Sequence, residues 1–205
     1  QMSEALAYTS SEQRFARPSG LGELYQLLDA DASARIIAGG TDIGLEVTKR
    51  FLKLQSLVSI DGVSELRCLE VRDGRLICGA GVKISELEQF CEKVFPSIHE
   101  MVRYFGSRQI KHRATVGGNL CTASPIGDLA PVFLSLGAAI AVGSSKGERL
   151  IPIDDFFVAY RKTALNRKEV VLRVEIPLPS PTSQSRSFKV SKRREVDIAT
   201  VSAGF

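Results

Sequence analysis

Two glycine-bearing stretches gather the residues whose types and spacing can do chemistry. The first is Ile36-Ile37-Ala38-Gly39-Gly40-Thr41-Asp42-Ile43. Adjacent glycines let a backbone come within hydrogen-bond range of a ligand. A helix starting just after them would present unpaired amides and a partial positive charge, which together suit a diphosphate. The stretch fits neither GxGxxG nor GxxxxGK[ST]. A purely structural role stays open, in which Thr41 or Asp42 caps the helix after a tight turn. The second stretch runs from Thr115 through Val116, Gly117, Gly118, Asn119, Leu120, Cys121, Thr122, Ala123, Ser124, Pro125, Ile126 and Gly127 to Asp128. The hydroxyls of Thr115, Thr122 and Ser124 can donate to phosphate oxygens. Asp128 can accept from a ribose or a ring while also capping a helix. Turn chemistry alone does not call for that density, so a binding role is the better reading.

Other candidates carry less. His99 and His112 have no glycine-serine-glycine elbow to serve, so nothing points to a hydrolase. Asp154-Asp155 before Phe156-Phe157 reads as a helix start, with paired-carboxylate acid-base chemistry the minor alternative. The basic cluster Lys189, Lys192, Arg193, Arg194 reads as a solvated face that would hold an anion only beside a cofactor. Cys68, Cys78, Cys91 and Cys121 have neither CxxC spacing nor a histidine cluster, so no zinc or iron-sulfur site is expected, and buried free thiols are.

The elements that must position the two stretches follow from periodicity and punctuation. Leu21, Leu24, Tyr25, Leu27 and Leu28 make one face of a helix over Leu21 to Leu28. Arg35 to Ala38, the glycine turn, Ile43 to Phe51 and Leu57 to Ile60 predict a strand-helix-strand unit with a parallel strand pair. Asp73-Gly74 predicts a two-residue hairpin between Cys68–Arg72 and Arg75–Gly79. Ser85 and Glu88 have the spacing of a capping box for a helix that stops before Pro96, and a second helix is expected over Ile98 to Phe105. Asp128 is placed to cap a third, Leu129 to Leu136, ended by Gly137. Ala138–Val142 should pair with Arg149–Ile153, and Glu169–Ile176 is a further strand. Pro177 to Ser187 is the most linker-like segment; beyond it lie two strands, Arg186–Lys192 and Ile198–Ala203, that cannot cover their own apolar face. The chain is therefore expected to be part of something longer, with a tendency to associate through an unpaired apolar edge.

The 205 residues, with 17 glycines and 8 prolines, are ordinary globular composition and exclude a collagen-like or disordered polymer. Against 23 acidic residues, 27 Lys and Arg leave a formal charge of +4, far short of a nucleic-acid-binding face. Leu129 to Val142 is broken by Pro131, Ser135 and Gly137 and is shorter than the roughly 20 residues a bilayer span requires. The start, Gln1 to Arg14, lacks a signal-peptide pattern, so neither nucleic acid nor membrane is an expected partner and cytoplasmic residence is the expectation.

Taken in order, the two glycine stretches, Phe157-Val158-Ala159-Tyr160-Arg161-Lys162-Thr163 and Lys192-Arg193-Arg194-Glu195 resemble the FAD domain of the xanthine dehydrogenases, a molybdenum hydroxylase family, over about residues 14 to 205. The resemblance implies an α+β FAD-binding fold of the type shared with vanillyl-alcohol oxidase and the murein-precursor reductase. Two α+β subdomains would cover residues 14–61 and 62–179, and residues 180–205 would begin a C-terminal α+β domain. It implies that Ile36 to Ile43 hold the FAD diphosphate. It also implies FAD contacts from Thr115, Gly117, Gly118, Asn119, Thr122, Ser124 and Asp128, an aromatic at Phe105 over the flavin, Leu172 beside it and Lys189 near it. No side chain is implied as a catalyst, because redox chemistry belongs to the cofactor.

In the whole enzyme of that family, a purine is hydroxylated at a molybdenum centre, two 2Fe-2S clusters carry the electrons to FAD, and NAD takes a hydride. The implied partners are thus an iron-sulfur domain, a molybdenum-binding subunit and NAD. Gly39-Gly40-Thr41-Asp42 departs from the Gly-Asn-Thr-Glu of animal xanthine oxidases and from the Gly-Gly-His-Ser or Gly-Gly-Gln-Ser of carbon-monoxide dehydrogenase medium subunits, and so leans towards the bacterial small-subunit type. Two alternatives stay beside it: the FAD subunit of a carbon-monoxide, nicotinate or hydroxybenzoyl-CoA type enzyme, and a non-catalytic nucleotide-binding assembly domain.

Overall fold

A computed structural model describes residues 4–194 and 196–205; Glu195, in the last of the quoted motifs, lies outside the described residues. The chain opens with β1 (Leu6–Thr9), β2 (Arg14–Arg17), α1 (Leu21–Ala30), β3 (Arg35–Ile37), α2 (Ile43–Arg50) and β4 (Ser56–Ser59). These strands form a sheet of order β1-β2-β4-β3. The predicted parallel pair is present, with Ile36 opposite Val58. Helix α1 lays Leu24 and Leu28 into the core, and the Glu65 carboxylate accepts the Leu21 N–H at 3.1 Å at its N-terminus. The sequence reading missed β1 and β2. Both are short strands with no buried alternation, and β2 is held between β1 and its parallel partner β4, which is distant in sequence.

The second sheet is antiparallel throughout. Its hairpin β5 (Leu69–Arg72) and β6 (Arg75–Gly79) turns on Asp73 at φ 51° and Gly74 at φ 71°, as the dipeptide predicts. Then follow α3 (Ile84–Val94), α4 (Pro96–Arg103), α5 (Arg108–Lys111), α6 (Val116–Cys121) and α7 (Leu129–Ser135). After them come β7 (Ala139–Ser144), β8 (Gly147–Pro152), α8 (Ile153–Phe156), the small hairpin β9 (Phe157–Ala159) with β10 (Lys162–Thr163), and β11 (Val170–Pro177). The strand order is β5-β6-β11-β7-β8. Central β11 is buried along most of its length and carries a bulge: Val171 faces Val142 and Arg173 faces Ala141, leaving Leu172 as the extra residue. One hydrophobic cluster runs from Leu24 and Val58 of the first sheet through Leu76, Phe95 and Phe133 to Val174 and Ile176.

Two capping expectations are corrected. Helix α3 begins at Ile84, because Ile84, Leu87 and Cys91 are its buried stripe, and Glu86 rather than Glu88 reaches back to the Lys83 N–H at 2.9 Å. Ser85 instead pairs with His112 at 3.1 Å, and Glu88 takes Lys111 at 2.7 Å. Asp128 precedes α7 but is helical itself and caps nothing with its side chain. Helix α4 starts at Pro96, two residues before the expected Ile98, since proline's missing N–H costs nothing in a first turn. Pro96 thus ends one helix and opens the next. Gly137 at φ 62° closes α7 as expected.

The last elements, β12 (Ser187–Val190) and β13 (Val201–Gly204), pair antiparallel and are shorter than expected. Their polarity is reversed from the usual: Ser187, Lys189 and Ser202 face inward, while Phe188, Val190 and Val201 face out. The inward face rests on α4 and α7, where Ser187 Oγ donates to Ser97 O at 2.6 Å and Ser202 lies beside Met101.

Candidate functional site

A cavity of about 760 Å³ opens where the two glycine stretches meet, within the size range of small-molecule sites. Every residue from Ile36 to Ile43 lines it, as do Phe105, Thr115, Gly117, Gly118, Asn119, Thr122, Ser124 and Asp128. Leu172 and Lys189 do not. The tertiary structure thus brings together segments about 80 residues apart in sequence.

The first stretch is the β3–α2 turn. Gly39 is required by its neighbour in the fold: a Cβ there would sit 1.8 Å from the Arg113 carbonyl oxygen, so the turn presses directly on the backbone ahead of the second stretch. Gly40 takes φ 74°. The capping alternative is not realised, since the Asp42 side chain does not cap α2. Among the described residues, the backbone N–H groups of Gly39, Gly40, Thr41, Asp42 and Ile43 donate to no protein acceptor. That leaves a short run of open donors at a helix N-terminus, an arrangement suited to an anion.

The second stretch is more committed to its own structure. It contains a helix, α6, that no apolar periodicity predicts. Thr115 is its N-cap, its Oγ1 accepting the Gly118 N–H at 3.1 Å. Gly117 abuts the residue just after β6, where a Cβ would fall 2.6 Å from the Ala80 Cβ. Thr122 donates to the Asn119 carbonyl at 2.8 Å, and Ser124 Oγ accepts from the Ile126 N–H at 3.4 Å. These hydroxyls therefore shape the stretch as well as lining the cavity. The Asn119 side-chain amide has no partner among the described residues.

Asp128 is the most telling side chain. Its Oδ2 accepts from Lys189 Nζ at 2.8 Å, and its Oδ1 is buried without a partner among the described residues. Burial pushes its carboxyl above the ordinary range, and Lys189 opposes that rise. Lys189 is therefore placed behind the cavity wall, holding Asp128 and, at 3.1 Å, the Tyr104 carbonyl next to Phe105. Leu172, the bulge residue, is buried, and its side chain lies against Gly143.

The sequence reading missed three wall features. Arg161, at φ 53° in the β9–β10 turn, lines the cavity from within the quoted Phe157–Thr163 motif, and that motif was its only signal. Arg35 and Glu46 form a 2.9 Å ion pair at the wall across the glycine turn. Glu169 is gripped by Arg149 through two bonds of 2.9 and 2.8 Å, which with the Asn166 N–H lower its carboxyl to about 2. No group of three or more metal-ligating side chains occurs, and no helix is long and apolar enough to cross a membrane, among the described residues.

A family model described as "FAD binding domain in molybdopterin dehydrogenase" matches residues 9–179. Xanthine dehydrogenase of Oryza sativa subsp. japonica is 34% identical over 203 residues, covering 93% of this chain and 15% of the relative. Quinoline 2-oxidoreductase from Pseudomonas putida 86 superposes with a TM-score of 0.85 at 29% identity, covering 92% of this chain and 66% of that one. Reconstituted CO dehydrogenase from Oligotropha carboxidovorans has a TM-score of 0.88 at 24% identity, covering 96% and 69%, a likeness of fold alone. The chain spans about 15% of the length of the curated relative it matches. The architecture is the expected α+β, PCMH-type FAD-binding fold. With most of its length matched, and the cavity assembled from the stretches that drew attention in the sequence, the chain belongs to the family of FAD-binding domains of molybdopterin dehydrogenases.

Proposed function

We propose that this chain is the FAD-binding component of a xanthine dehydrogenase, receiving electrons from 2Fe-2S clusters after purine hydroxylation at a molybdenum centre and passing hydride to NAD. The observation that carries the reading is the run of open N–H groups from Gly39 to Ile43 in the same cavity wall as Asp128, whose Oδ1 is buried and orphaned. A dinucleotide diphosphate needs the first, and a hydroxyl or ring N–H of the same ligand would satisfy the second. Residues 36–43 would then hold the diphosphate, while Asn119 and Asp128 would fix polar groups. Phe105 would give the ring apolar cover and exclude water. When bound, FAD supplies the change between one-electron and two-electron transfer that joins iron-sulfur clusters to NAD.

The partners in this reading are an iron-sulfur domain and a molybdenum-binding subunit of the same cytoplasmic enzyme. Residues 14–61 and 62–179 act as the two subdomains around the cavity, and residues 180–205 belong to a third unit. Thr41-Asp42 favours the bacterial small-subunit type, although the sequence relative named above is from a plant. The likeness to quinoline 2-oxidoreductase supports a second reading, the FAD subunit of another molybdenum hydroxylase. The test is a visible spectrum of the chain after loading with FAD and desalting, with FMN as control, followed by NADH reduction. Retention of FAD but not FMN, with bleaching by NADH, is the expected outcome. No retained flavin would overturn the proposal, and a bound flavin that NADH cannot reduce would leave the assembly-domain reading.

A further inference from the structure

We propose that Lys189 is a positioning residue that latches the β12–β13 hairpin to the cavity through Asp128, so that filling the cavity and docking the hairpin strengthen each other. The inference rests on reading the cavity as a FAD site. Lys189 is on the inward face of the hairpin, and its side chain and that of Asp128 are only 4% and 9% exposed. The lysine makes two bonds that matter: 2.8 Å to Asp128 Oδ2, and 3.1 Å to the carbonyl of Tyr104, the residue before cavity-lining Phe105. Asp128 and Lys189 come from elements 61 residues apart, so this pair exists only when the hairpin is seated.

The coupling follows from the unequal state of the two carboxylate oxygens. Oδ2 has its lysine; Oδ1 is buried with no donor among the described residues. A buried, half-satisfied carboxylate is costly, and a donor on a cavity occupant removes that cost. The gain is available only while the carboxylate stays ionised and held in place, which is what Lys189 does. An occupant therefore binds better to the seated hairpin, and by thermodynamic reciprocity it seats the hairpin more firmly. Other contacts of the hairpin, such as Ser187 Oγ to Ser97 O at 2.6 Å, hold it down away from the cavity wall and have no such link.

The experiment is hydrogen exchange of the 205-residue chain with and without FAD, beside fluorescence titration of FAD, for wild type, Lys189→Met, Lys189→Arg and Ser187→Ala. In the wild type FAD slows exchange in residues 187–190 and 201–204. Ser187→Ala loosens the hairpin but keeps the FAD-dependent slowing. Lys189→Met loses that slowing and weakens FAD by roughly tenfold or more, the loss expected for one charge-assisted hydrogen bond. Lys189→Arg restores most of both. FAD binding to Lys189→Met with wild-type affinity, or an undiminished FAD effect on its hairpin, overturns the latch. So does a wild type that binds FAD with no change in hairpin exchange, and in that case the flavin reading stands. A wild type that takes up no FAD defeats the flavin reading and the latch with it. Should Lys189→Met fail to fold, Asp128→Asn must show the same loss of FAD-linked protection, and its retention overturns the latch.

Discussion

Replacing Gly39 with alanine tests whether the first glycine stretch is shaped by the protein or by its ligand. A Cβ at Gly39 would meet the Arg113 carbonyl oxygen at 1.8 Å, its carbon at 2.5 Å and the Ala114 nitrogen at 3.0 Å. Since Cβ contacts below 3.0 Å essentially do not occur, the two backbones must part by at least about 1.2 Å (3.0 less 1.8). Both sides are main chain, so no rotamer change can absorb the shift. Overpacking of this kind costs about 3 kcal/mol, at the upper end of the usual range. For a chain of this length that is a fall in melting temperature of roughly 6–12 °C. Gly44, the second residue of α2, is the control, because a Cβ there meets nothing within 4 Å. Gly44→Ala should stabilise the helix by about 0.5 kcal/mol through reduced unfolded-chain entropy. The assay is thermal unfolding of both variants followed by circular dichroism, with flavin retention measured on the same samples. Gly39→Ala should melt early and retain less FAD, while Gly44→Ala should melt at or above wild type. A Gly39→Ala variant as stable as wild type would refute the argument that the backbone just ahead of the second stretch demands this glycine.

Two further outcomes follow from the charges and thiols. Glu169 is held at about 2 in the folded chain against 4.5 as its ordinary value, with Arg149 the leading cause, so its stabilisation is complete above 4.5 and is lost as pH falls through about 2. Urea titrations should therefore show Arg149→Gln less stable than wild type at neutral pH, the difference closing across that acid window; a constant difference down to its lower end would contradict the assignment. Burial pushes Cys91 up to about 12 and raises Cys78 well above its ordinary value. Both thiols should resist iodoacetamide in the native chain at pH about 8, where an ordinary cysteine is partly ionised, and mass spectrometry showing rapid labelling of either would exclude their being buried and inert.

Local signals were legible where the chemistry is local. Asp73-Gly74 alone specifies a two-residue turn, and the Gly39-Gly40 break between an apolar run and a helical pattern locates the β3–α2 turn to within a residue or two. Capping was not legible. Whether Ser85 or Lys83 occupies the N-cap of α3 depends on which register buries Ile84, Leu87 and Cys91, and that is settled by the core they enter. Strands β1 and β2 were invisible because four-residue strands without a buried alternation have no periodicity of their own, and parallel pairing with β4 stabilises β2 from outside.

The sequence by itself determined the parallel unit, the β5–β6 and β7–β8 hairpins and the two stretches from which a cavity could be built. Residue type and short-range spacing carry that information, because backbone freedom and helix-terminal polarity act within a few residues. Only the tertiary structure decided what each group in those stretches has left to offer a ligand. Thr122 donates its hydroxyl to its own turn, Thr115 accepts there and keeps its O–H to give, and the amides from Gly39 to Ile43 stay open. Gly39 answers to Arg113. Asp128, which the sequence marks both as a ligand acceptor and as a helix cap, lines the cavity but caps nothing and is held by Lys189. Each of these depends on which distant polar group arrives within about 3 Å, and a hydrogen bond falls off too steeply with distance for any one-dimensional pattern to encode that.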